Sequence, residues 1–253
     1  MIKIEGVSHG IRNQPILADI DLTLPKGGIT ALIGPNGAGK STLLSLIARL
    51  APLQTGRVSV DELDVTRCDT RALSQRLAIL PQSQDIAPRL SVRDLVSFGR
   101  YPHSRGRLTP EDEAEVTGAI ARFGLDALEN RAIDTLSGGQ RQKALLAMIF
   151  AQGTDYVLLD EPLNNLDIAG SRELMAHLRH AADEQDRSFV IVLHDIAYAL
   201  AYADHVVMLA GGRLVAAGPA REVITEERIF DVYGTRARLH KAGERLLVDV
   251  GMD

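Results

Sequence analysis

Eight consecutive residues, Gly34-Pro35-Asn36-Gly37-Ala38-Gly39-Lys40-Ser41, follow the pattern G-x-x-x-x-G-K-[ST]. Each fixed position has a chemical reason. The glycines let the backbone curl so that several N–H groups converge on one phosphate. The positive end of the following helix adds to them. Lys40 is placed to reach the β- and γ-phosphates of a nucleotide, and Ser41 to hold Mg²⁺. Thr42, next in the chain, completes the candidate nucleotide contacts. The rival reading is a chance match in a turn. Against it stand a strand-like run at 29–33 before the loop and helical composition at 42–50 after it, the context that phosphate binding demands.

A second stretch, Leu136-Ser137-Gly138-Gly139-Gln140, precedes a helical pattern. Ser137 and Gln140 stand at the spacing of a capping box, which needs no ligand. The adjacent glycines exceed what a cap needs, because glycine weakens a helix start unless a backbone must come close to something. A helix start with a hydroxyl and bare N–H groups is also an anion site, and these residues alone leave both readings open. The run Tyr156-Val157-Leu158-Leu159-Asp160-Glu161-Pro162 puts Asp160 at the carboxyl end of a buried strand, where open α/β sheets bind ligands. Asp160 is suited to hold Mg²⁺ through water, and Glu161 to polarise an attacking water. An ordinary pair of acids ending a strand is the alternative.

The elements that must position these groups alternate between strand and helix. Runs at 2–7 and 20–24 read as strands, followed by a turn at Pro25-Lys26-Gly27-Gly28. Short β-rich pieces lie at 57–60 and 77–80. From 91 to about 151 the pattern is helical, with a strong start at Thr109-Pro110-Glu111-Asp112: a hydroxyl cap, proline at the first position and acids at the positive dipole end. Apolar runs at 156–159 and 188–193 suit central parallel strands, with a helix at 168–184 between them. A hairpin is expected around Gly211-Gly212, and a small strand pair, 238–240 with 246–248, as an edge hairpin closing the domain. The alternation implies a parallel sheet with helices on it.

Composition narrows the function classes. The 253 residues allow one to two domains, and 45% hydrophobic with 24% charged residues is ordinary globular usage. One cysteine, Cys68, excludes a disulfide framework and a multi-cysteine zinc site. A net charge of −5 argues against nucleic acid as the partner. No apolar run approaches the roughly 18–20 residues of a spanning helix, and the first residues carry no secretory signal pattern. A soluble cytoplasmic chain is the expectation.

The phosphate loop, the L-S-G-G-Q and the Tyr156–Pro162 run occur in the order and spacing of ATP-binding cassette (ABC) ATPases. The chain resembles the nucleotide-binding subunit of an ABC transporter over about residues 1–235. That resemblance implies an α/β fold: an ABC-type P-loop NTPase with a RecA-like core, N-terminal antiparallel β strands and a helical subdomain inserted at about 88–152. Residues 236–253 would form a C-terminal β segment of the same domain. It implies ATP and Mg²⁺ as ligands and a head-to-tail homodimer. Each ATP would lie between one subunit's phosphate loop and the other's Ser137, Gly138, Gly139 and Gln140. Gln82, in Leu80-Pro81-Gln82, matches the family's glutamine loop, which contacts Mg²⁺ or the water and relays to the membrane partner. His194 matches the switch histidine on the γ-phosphate; on its own it would read as structural. Asp167, in Leu163-Asn164-Asn165-Leu166-Asp167, matches the loop that crosses the dimer interface, with Asn164-Asn165 where Ser-Ala is usual. The stretch Val7-Ser8-His9-Gly10-Ile11-Arg12 lacks the family's adenine-stacking aromatic and leaves His9 or Ile11 to pack on the base.

Two local runs, Phe98-Gly99-Arg100-Tyr101-Pro102-His103 and the stretch from Glu161 to Ile168, look like those of the iron–siderophore importers. Haem or cobalamin importers are the near alternative, and a non-transport cassette acting as an assembly switch the distant one. The resemblance implies integral-membrane permease subunits as partners and, indirectly, a periplasmic or extracellular substrate-binding protein. It places the chain peripherally on the cytoplasmic face of the inner membrane.

Overall fold

Alternation of buried and exposed residues builds the first sheet. In β1 (Ile2–Ile11) Ile2, Ile4 and Val7 are buried, and in β2 (Gln14–Leu24) Leu17, Ile20, Leu22 and Leu24. The two strands pair antiparallel with Ile2 opposite Leu24. β4 (Thr55–Val60) pairs with the other side of β1, and the short β5 (Leu63–Asp64) completes the order β2-β1-β4-β5. A computed structural model of the chain describes residues 1–12, 14–82, 89–243 and 245–250.

The second sheet has six strands: β3 (Gly28–Ile33), β6 (Leu77–Leu80), β7 (Tyr156–Asp160), β8 (Ser188–Val192), β9 (His205–Ala210) and β10 (Arg213–Pro219), in the order β10-β9-β3-β8-β7-β6. All but β10 run parallel. β7 and β8 are buried along their whole length, as strands covered on both faces must be. Their two-residue period divides the core. Tyr156, Leu158 and Val190 face the first sheet and α1 (Lys40–Ile47). Val157, Leu159, Phe189 and Ile191 face α3 (Val92–Phe98), α5 (Pro110–Arg122), α6 (Gly138–Ala151) and α7 (Ile168–Gln185).

The remaining helices are α2 (Thr70–Arg76), α4 (Tyr101–Ser104), α8 (Ile196–Tyr202), α9 (Ala220–Val223) and α10 (Glu226–Tyr233). Within the helical part, α3 starts on a Ser91–Asp94 capping box and α5 on a Thr109–Asp112 box. Arg100 Nε donates to the buried Asp112 carboxylate at 2.8 Å from a half-buried side chain. Its Nη1 donates to the Ala151 carbonyl at 2.9 Å. One guanidinium thus ties α4, α5 and the end of α6 together.

Two expectations shift. The helix read at 42–50 begins at Lys40 and stops at Ile47, because Arg49 turns left-handed (φ +56°) and its guanidinium bonds to the carbonyls of Val65 and Cys68. The expected edge hairpin is instead a separate two-stranded sheet, β11 (Arg238–Ala242) with β12 (Arg245–Asp249). It lies against α8, with Leu239 and Val248 on the main core. The start of the helical insertion at 88 and residues 251–253 lie outside the described residues. Among the described residues, no helix is long and apolar enough to cross a membrane.

Candidate nucleotide site

Parallel strands bring their carboxyl ends to one edge, and the candidate residues sit there. β3 ends at Ile33 and gives way to Gly34; β7 ends at Asp160, with Glu161 next; β8 is followed by Leu193 and His194; β6 by Pro81 and Gln82. β3 lies between β8 and β9, so the chain's crossovers leave a crevice at its end. Gly34 stands at φ +147°, where a Cβ would come 2.0 Å from the Leu209 carbonyl oxygen. The strand can therefore turn into the loop only as glycine.

The loop and α1 frame a cavity of about 350 Å³ lined by Ile16, residues 36–42, Gln82 and Glu161. Lys40 is only 5% exposed, and its Nζ donates to the carbonyls of Gly34 (2.7 Å) and Pro35 (2.9 Å). Burial pulls its ammonium below the ordinary lysine range, while the nearby charges of Glu161 and Asp160 oppose that. Ser41 Oγ donates to Asp160 Oδ1 at 3.0 Å. Asp160 is 6% exposed, and burial pushes its carboxyl above the usual range, helped by the like charge of Glu161 and opposed by the Ser41 bond. A buried carboxylate beside a hydroxyl at a helix start is a donor set for a hard cation that takes oxygen ligands.

Glu161 is held from several sides. Its Oε1 lies 2.6 Å from His194 Nε2, and its Oε2 accepts from Gln82 Nε2 (2.8 Å) and Asn164 Nδ2 (2.7 Å). Burial raises this carboxyl, but the Asn164 and His194 contacts outweigh it and hold the group below the usual glutamate range. Glu161 is thus a carboxylate at neutral pH.

Ser137, Gly138, Gly139, Gln140 and Asp167 do not line the phosphate-loop cavity. Ser137 accepts from Gln140 N at 3.3 Å and its own N–H donates to Gln140 Oε1 at 3.1 Å, so the capping box forms. Ser137 and Gly138 are nonetheless exposed. Gly138 borders a neighbouring 280 Å³ cavity with Gln82, Asp160, Glu161 and Asn164. Gly139, Gln140 and Asp167 face a third, wider cavity. Asp167 Oδ1 accepts from Gly170 N at 2.7 Å as the cap of α7.

Motif reading missed three contacts. Ile16 lines the main cavity, whereas Ile11 is exposed and His9 is buried in β1, and neither lines it. Only the facing of β2 across the loop could have indicated Ile16. The bond of Asn164 to Glu161 needed the turn geometry, although the departure from Ser-Ala marked the position. Gln142 Nε2 donates to the Pro162 carbonyl at 3.0 Å, tying α6 to the turn after Glu161.

A family model described as ABC transporter matches residues 17–164. The petrobactin import ATP-binding protein FatE of Bacillus anthracis is 45% identical over 241 residues, covering 95% of this chain and 96% of that protein. The petrobactin import ATP-binding protein YclP of Bacillus subtilis (strain 168) is 43% identical over 233 residues, 92% of each. Among solved structures, a transporter described as of metal-chelate type, in an inward-facing conformation, aligns with a TM-score of 0.83 at 25% identity. That alignment covers 98% of this chain and 95% of that one.

Proposed function

The chain belongs to the ABC transporter family and is an ATP-binding, ATP-hydrolysing cassette, and from that premise we propose that it powers the import of iron–siderophore complexes. The cargo reading is supported by the two petrobactin import relatives, each matched over nearly its whole length. The observation that carries the hydrolytic reading is the gathering of Lys40, Ser41, Asp160 and Glu161 at one sheet edge. Family members act as dimers beside membrane permeases. This chain's finer placement is a homodimer, head to tail, peripheral on the cytoplasmic face of the inner membrane, with a substrate-binding protein as an indirect partner and no nucleic acid. Residues 1–235 act as one ATPase domain with its helical insertion.

In this reading the N–H groups of Gly34–Thr42 cradle the phosphates, and Lys40 exchanges its carbonyl partners for β- and γ-phosphate oxygens. Ser41, Asp160 and Gln82 would hold Mg²⁺, which when bound would offset phosphate charge. The buried Asp160 carboxylate, with its raised proton affinity, fits that duty. A water oxygen attacks the γ-phosphorus, Glu161 takes its proton, and the bond to the β-bridging oxygen breaks, giving ADP and phosphate. His194 contacts the γ-phosphate. Ser137, Gly138, Gly139, Gln140 and Asp167 come to the site from the second copy, in keeping with the exposure of Ser137, Gly138 and Asp167 and with the place of all five outside the chain's own phosphate-loop cavity.

A strain lacking this chain tests the cargo. It is expected to fail to grow on a ferric siderophore as sole iron source while growing on free iron salts. Intact ferric-siderophore uptake with lost haem or cobalamin uptake would reassign it. Co-purification with a soluble scaffold instead of a permease would remove transport altogether.

A further inference from the structure

We infer that Asn164 is a positioning residue for Glu161: its side-chain amide fixes one carboxylate oxygen so that the other faces the attacking water. The inference rests on Glu161 being the base proposed above. Glu161 has a partner on each oxygen, His194 on Oε1 and both Gln82 and Asn164 on Oε2. Three donors thus occupy three of the carboxylate's roughly four lone-pair sites, with both on Oε2 taken and room left only on Oε1 beside His194. In the reading above, His194 goes to the γ-phosphate and Gln82 to Mg²⁺ or the water. Both stand on other strands' ends, and both have a second duty. Asn164 has none.

Asn164 is also tied to Glu161 by the chain itself. Asn164 N donates to the Glu161 carbonyl at 3.2 Å, closing a short turn. Pro162 is buried in that turn and its carbonyl is held by Gln142 of α6. Glu161 enters the turn at φ +53°, a left-handed backbone that few side chains adopt without support. The amide therefore travels with the carboxylate whatever β6 and β8 do. Departure of His194 frees Oε1 while Asn164 keeps Oε2. Serine, usual at this position in the resembled family, has a hydroxyl donor on a shorter side chain, and alanine has no donor.

Steady-state ATPase kinetics of the full chain, with its permease, test this. Asn164 is exposed, so its variants are expected to fold and melt as the wild type. Asn164→Ala is expected to lower kcat about tenfold, the worth of one hydrogen bond to a charged group, with KM for ATP unchanged. Asn164→Ser is expected to regain part of kcat. Asn164→Asp, which sets a second carboxylate against Glu161, is expected to lose more than alanine. In a Glu161→Gln background, Asn164→Ala is expected to add no further loss in single-turnover rate. Wild-type kcat in Asn164→Ala, or the same tenfold loss in the Glu161→Gln background, would overturn the inference while leaving Glu161 as base. Wild-type turnover by Glu161→Gln would overturn the base assignment, and the inference with it.

Discussion

Replacing Lys40 with methionine keeps the unbranched shape of the side chain, one atom shorter, and removes its charge. The structure sets the magnitude. Lys40 Nζ donates two bonds, at 2.7 and 2.9 Å, and is nearly inaccessible to solvent. On meeting a nucleotide it trades these neutral acceptors for charged phosphate oxygens. Each charge-assisted bond is worth about 1.5–3 kcal/mol, and the two carbonyls left behind subtract roughly one ordinary bond each. The net loss in Lys40→Met is then about 1–4 kcal/mol, or roughly 5- to 700-fold in affinity. The fold is expected to survive, because burial already disfavours this ammonium. Isothermal titration with ADP and with a non-hydrolysable ATP analogue measures the effect. The loss is expected to be larger for the triphosphate, since only it offers the γ-oxygens. Lys40→Met protein binding the analogue within about threefold of wild type would refute the reasoning, as would equal losses for both nucleotides.

Three further outcomes are expected. Glu161→Gln should retain ATP binding and lose hydrolysis by roughly 10²–10⁴-fold, and ATP should then drive it to dimer on size-exclusion chromatography; a tightly binding but monomeric variant at high concentration would refute the head-to-tail pairing. Gly34→Ala should abolish folding or binding, because its Cβ would meet the Leu209 carbonyl, whereas Gly37→Ala, at φ +79° in open space, should cost only about 1–2 kcal/mol of left-handed strain by chemical denaturation; equal effects at the two sites would sink the steric argument. Arg100→Ala should cost about 3 kcal/mol at neutral pH by leaving the buried Asp112 unpaired. The Thr109 N–H and Arg100 hold the Asp112 carboxyl below its usual range, so that contribution is complete above the unfolded value and fades as pH falls through the lower folded one; a variant–wild-type gap that stays constant through that fall would count against it.

How much of this was legible depended on whether the cause was local. Strand-like runs marked parts of β1, β2 and β4, though not β5 or the first half of β2, and continuous apolar runs marked β7 and β8, because each pattern is imposed by the sheet on its own residues. The phosphate loop and the helix starts at Thr109 and Ser137 were readable for the same reason: the partners lie within a few residues of each other. The separate sheet of β11 and β12 was not, since a short strand pair carries no mark of what it will pack on, and its seat is α8, some forty residues earlier in the chain. The same limit hid Ile16 as a cavity wall. Asn164 is the intermediate case. Its spacing from Glu161 is short, but whether an amide three residues on points back depends on a left-handed residue at the turn, which no periodicity announces.

The two readings of Ser137 that the sequence left open call on different parts of one hydroxyl, and the structure shows the capping part. Its oxygen accepts the Gln140 N–H and so caps α6. Accepting a bond engages a lone pair and leaves the hydroxyl proton available to donate. The cap holds the oxygen at an exposed helix start, while the hydroxyl proton stays free to rotate towards an acceptor. A capping role therefore does not compete with a phosphate contact from a second copy. Lys40 is the converse arrangement, a cation buried within its own chain beside two carboxylates. In the head-to-tail reading proposed above, a nucleotide between two chains would meet Lys40 of one and Ser137 of the other.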